Sequence, residues 1–129
     1  MFKTTKIIAV ISAALTFPTA AYADAKAEIA TAAQHAGLAA AAPNLAQVHV
    51  HLHHAMNCLV GPRDADFDKN NMNPCAQQGA GAYPDESDPD IKVKLQNAMS
   101  AAADGIASND EATAKKNAAS VQTMLEAIK

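Results

Sequence analysis

Tryptophan is absent, and the 129-residue chain holds only three Phe and two Tyr. Beyond residue 23 the aromatics reduce to Phe67 and Tyr83, so a core must come from Ala, Leu, Ile, Val and Met. Small side chains let helices approach closely, but each buries little area at about 25 cal/mol per Å2. Such a core is thin and gains from a covalent staple. A basic surplus is missing too. Two of the ten Lys and Arg, Lys3 and Lys6, sit at the extreme start, leaving eight against thirteen Asp and Glu. This acidic balance argues against nucleic acid and anionic membrane surfaces as partners. No G-x-S-x-G, H-E-x-x-H or phosphate-binding glycine loop occurs, so nothing supports an enzyme. Only two cysteines are present and no C-x-x-C-H, which excludes covalent haem attachment.

What is present begins with Lys3 and Lys6, an apolar run from Ile7 to Phe17 and the small-residue ending Ala21-Tyr22-Ala23. This pattern predicts a secretory signal peptide over 1–23, cleavage before Asp24, and a periplasmic or secreted product without stable membrane insertion. No lipidation cysteine follows the apolar run. In an oxidising compartment two cysteines pair, so Cys58 and Cys75 are expected to form a disulfide. In the chain-entropy model, closing a loop of that size stabilises by about 3 kcal/mol.

The remaining residues, 24–129, read as one helical domain. Ala25, Ile29, Ala32, Ala33 and Ala36 keep helical spacing over about 25–40, and Pro43 lies in a short connection to a second helix over about 44–60. Gly61-Pro62 ends that helix. Residues 61–88 are rich in Gly, Pro, Asn and Asp with no sustained period, which predicts a long loop, stapled by the disulfide and anchored by Phe67 and Tyr83 outside the helices. Asp88-Pro89-Asp90 opens a third helix over about 89–107. Ser108-Asn109-Asp110-Glu111 reads as a capping box before a fourth over about 109–128. The expected fold class is all-α, a small up-down four-helix bundle.

The chemistry concentrates on the second helix, where His49, His51, His53 and His54 fall within six residues. At 100° per residue, Leu45, Val48, Leu52, Met56 and Leu59 form the apolar stripe. His49 and His53, one turn apart, flank it with Met56 three residues on. Mirroring the hairpin about residues 41 and 42 sets His35 level with Val48 and His49, so His35 is expected to join that row. His49, His53, Met56 and His35 are therefore the first candidate metal site. A thioether among imidazoles favours copper, Cu(I) above all, while an all-imidazole site suits zinc, nickel or Cu(II).

His51, His54 and Cys58 line the outer face, and Cys58 could ligate only as a free thiolate, so His51 and His54 form a weaker second candidate. Exposed histidines could also bridge two copies of the chain around one ion, giving a homodimer. The run Asp64-Ala65-Asp66-Phe67-Asp68-Lys69-Asn70 opens like a calcium loop but lacks its glycine and terminal glutamate, which favours a turn-forming acidic loop. In composition the chain resembles small periplasmic metal-binding proteins built as histidine-bearing helical bundles, through its leader, Ala-rich helices and histidine helix. It departs from them by confining histidine to the first two helices. The expected function is sequestration or delivery of a transition-metal ion. The alternatives are a pH-responsive structural module and a haem-binding bundle; the last helix of this chain carries no axial histidine.

Overall fold

The computed structural model describes residues 25–128; the expected signal peptide lies outside the described residues. The described chain is all-helical, in the order α1 (Ala25–Ala40), α2 (Leu45–Val60), α3 (Ala82–Asp85), α4 (Pro89–Ala107) and α5 (Glu111–Glu126). Five helices replace the four expected, because a single turn, α3, forms inside the 61–88 segment and takes Tyr83 into it. None of the described helices is long and apolar enough to cross a membrane.

Local signals set the boundaries. Asn44 caps α2, its side chain accepting from the Gln47 N–H at 3.0 Å. Asp88 caps α4 ahead of Pro89, where the missing N–H costs nothing. At α5 the cap is Asp110 rather than Ser108, accepting from the Thr113 N–H at 2.8 Å. Ser108 instead closes α4 as its C-cap, and its hydroxyl accepts from the Asp110 N–H.

The core runs between the long helices. Ala32, Ala36 and Ala39 on α1, Val48, Leu52 and Leu59 on α2, Leu95, Ala98 and Ala102 on α4, and Ala114, Ala118, Val121 and Leu125 on α5 are all buried. α1 packs on α2 and α5, and α4 on α5 and α2. Glycine permits the closest approaches. A Cβ at Gly105 would stand 2.7 Å from Leu52 Cδ1. At the exit of α2, Gly61 has φ +75°, and a Cβ there would lie 1.6 Å from the Ala80 carbonyl oxygen. Gly61 and Gly81 therefore let both ends of the long loop cross in backbone contact.

Four further ties hold the loop. Cys58 and Cys75 form the disulfide, with Cα atoms 5.2 Å apart. Asn57, fully buried, donates from Nδ2 to the carbonyls of Asp68, Asn71 and Met72, and its Oδ1 accepts from the Asp68 N–H at 2.9 Å. On α1, buried Glu28 accepts from the Gly81 N–H at 2.9 Å, and Thr31 exchanges hydrogen bonds with Gln78. The aspartates act locally: Asp64 accepts from the Asp66 N–H and Asp68 from the Asn70 N–H. This is the work of turns.

Candidate metal centre

Two rows of side chains face each other across the α1–α2 seam. Glu28, Thr31 and His35 are spaced i, i+3 and i+7 on α1, and His51, His54 and Cys58 are spaced the same way on α2. The stapled loop fills the end of the seam next to Glu28, Thr31 and Cys58 through the ties above. Toward the hairpin turn, the three histidines fill it themselves.

His35, His51 and His54 each offer a ring nitrogen within 4.8 Å of the others. Their ring centroids are 5.8 Å apart for His35 and His51, 5.1 Å for His35 and His54, and 5.6 Å for His51 and His54. His54 meets both other rings edge to face. It is buried, while His35 and His51 are half-buried. In all three rings Nδ1 is shielded from solvent and has no hydrogen-bond partner. Burial lowers the pKa of His54, and the neighbouring charges of His35, His51 and His53 lower it further. His35 is lowered in the same way, by burial first and then by His51. Both rings therefore favour the neutral form, the one that ligates.

This grouping differs from the first candidate site. The structure brings His35 to His51 and His54, the row expected to be the weaker, and not to His49, His53 and Met56. The hairpin geometry explains the shift. With α1 ending at Ala40 and α2 starting at Leu45, the midpoint falls between residues 42 and 43. His35 then lies level with Val50, within one turn of His51 and His54.

The displaced candidates have other partners. His49 donates from Nε2 to the Ser108 carbonyl at 2.9 Å, tying α2 to the α4–α5 turn. His53 Nδ1 pairs with Asp68 Oδ2 at 3.2 Å. Asp68 is held below its ordinary 3.8 chiefly by the Asn70 backbone N–H, then by the Asn71 side chain, with His53 contributing. Met56 is buried in the hydrophobic core. On an ideal helix it lies about 140° to 160° around from His51 and His54. Cys58, in its disulfide, has no thiolate to offer.

Asn57 and Glu28 escaped the sequence analysis, although they hold the loop that completes the seam. Both are polar residues at buried helical positions. Asn57 follows directly on Met56 and precedes the stapled cysteine, and a short amide there signals a backbone partner rather than core filling.

Comparison of the chain with protein-family models, with curated proteins and with solved structures finds no match.

Proposed function

We propose that this chain binds one transition-metal ion, copper, zinc or nickel, through His35, His51 and His54, for sequestration or delivery rather than catalysis. One observation carries the proposal: three imidazoles from two helices converge within ligating distance of one another, with three buried Nδ1 atoms unpartnered. Buried polar atoms in folded proteins are nearly always satisfied, and a shared cation would satisfy all three together. The ligand atoms lie up to 4.8 Å apart, whereas a tetrahedral ion with bonds of about 2.0 to 2.1 Å needs about 3.4 Å. The torsion that would close that gap is histidine χ2, which is broad.

The disulfide is compatible with an extracytoplasmic location, so we place the function in the cell envelope or outside the cell. In this proposal the four long helices act as a small bundle whose first hairpin carries the ion, and no nucleic acid or membrane partner is needed. Titrating metal-free protein with Zn(II), Cu(II) and Ni(II) by calorimetry tests the proposal. One equivalent should bind, and His35→Ala should abolish that binding while the circular dichroism spectrum stays helical. Equal affinity in His35→Ala would refute it.

A second function, a metal-free module that responds to acid, is favoured by the burial and the neighbouring histidine charges that lower His35 and His54. It predicts no bound ion at any pH.

A further inference from the structure

We infer that the three-histidine group is a site for divalent ions of the zinc class, gripping through three Nδ1 atoms and leaving one position free for a small exogenous ligand. The inference rests on the metal-binding proposal and specifies its chemistry.

The donor set comes first. The group consists of histidine alone, the Cys58 sulfur is committed to Cys75, and Met56 is on a different face of α2, within the core. Cu(I) is selected by thiolate and thioether sulfur, whereas neutral imidazole suits Zn(II), Cu(II) and Ni(II). The preference for Cu(I), which depended on Met56 as a ligand, therefore gives way to a preference for divalent ions.

The gripping atom follows from burial. In each ring it is Nδ1 that is closed off from solvent and without a partner. A neutral imidazole has one N–H and one lone pair. With the lone pair on Nδ1 given to an ion, Nε2 carries the proton, and no buried nitrogen is left unsatisfied. The opposite choice, ligation through Nε2, places the N–H on Nδ1, where no acceptor stands in any of the three rings.

The open position follows from the ligand count. Zinc sites that serve structure are closed by four protein ligands, while three leave a place for water or an exogenous ligand. The Nδ1 atoms themselves are shielded, but His35 and His51 are only half-buried, so a small exogenous ligand has only the rims of these two rings to pass. Such an ion exchanges readily, which suits delivery better than permanent retention.

The test uses protein with its disulfide intact, labelled with 13C and 15N at histidine and loaded with Zn(II). The ring carbon and nitrogen shifts of His35, His51 and His54 should show metal on Nδ1 and a proton on Nε2. In parallel, chelator competition should show Zn(II) and Cu(II) bound, with affinity falling by at least about 100-fold in His51→Ala, and Cu(I) bound no better by wild type than by that variant. Substitution with Co(II) should give a visible spectrum that shifts when azide is added. Metal on Nε2 in two or more rings, Cu(I) retained more tightly than Zn(II) in a His51-dependent manner, or a Co(II) spectrum indifferent to azide would each overturn the inference while leaving a histidine metal site in place. Failure of every ion to depend on the three histidines would remove the underlying function as well.

Discussion

The imidazoles of His35 and His54 meet edge to face across the α1–α2 seam, with centroids 5.1 Å apart. Burial is the main force holding both toward the neutral state; the His51 charge adds to it at His35, and the charges of His35, His51 and His53 add to it at His54. Their folded-state pKa values lie below the ordinary 6.5, so between those values and 6.5 the unfolded chain binds more protons than the folded one. Stability of the metal-free protein should therefore decline as pH falls below about 6.5. Asp68, held below 3.8, acts in a more acid window, where its contribution disappears as the carboxylate protonates. Urea midpoints measured across pH would show the first decline, and His35→Gln should reduce it. A flat profile between about pH 7.5 and 5.5 would contradict this account.

Asn57 supports four loop hydrogen bonds from within α2. Asn57→Ala strands an Asp68 N–H and three carbonyls near the helix, and at about 1 to 3 kcal/mol for each buried group left unsatisfied, some reached by water, a loss of about 3 kcal/mol is expected. Chemical denaturation measures it. A cost under about 1 kcal/mol would mean that the loop does not depend on this side chain.

Joint replacement Cys58→Ala and Cys75→Ala opens a loop of sequence separation 17, with an expected cost of about 3 kcal/mol. The ties at Asn57, Glu28 and Thr31 remain, so the variant should stay helical at room temperature with a lower Tm. Loss of helical circular dichroism at 25 °C would show that the disulfide alone holds the loop.

Two glycines should respond differently to alanine. At Gly61 the new methyl meets the backbone oxygen of Ala80 in a positive-φ conformation, and neither can yield. At Gly105 it meets Leu52 Cδ1, the far end of a side chain, at 2.7 Å and Asn117 Cβ at 3.1 Å, at an ordinary helical φ where alanine gains about 1 kcal/mol of propensity. Gly61→Ala should cost at least about 2 kcal/mol more than Gly105→Ala, as read from their denaturation midpoints.

Much of this fold was legible because the helices announce themselves through alanine periodicity, Asn44, Pro89 and Asp110. The disulfide was legible from having two cysteines and an export-like leader. The grouping of the histidines was not. Sequence spacing establishes that His49 and His53 share one face of α2, and His51 and His54 another. Which face meets His35 depends on a hairpin register that changes with each residue in the turn. The pull of Ser108 on His49 and of Asp68 on His53 comes from segments 59 and 15 positions away along the chain, so no local pattern reveals it. The single turn at Ala82–Asp85 escaped for a similar reason: its anchor, Gly81 on Glu28, is a tertiary contact.

The most direct test compares two double variants in a Zn(II) titration under identical conditions. His51→Ala with His54→Ala should lose the tight equivalent altogether, while His49→Ala with His53→Ala should bind Zn(II) within a few-fold of wild type at somewhat lower stability. Loss of binding in the second pair and retention in the first would contradict the assignment of the ion to the α1–α2 seam.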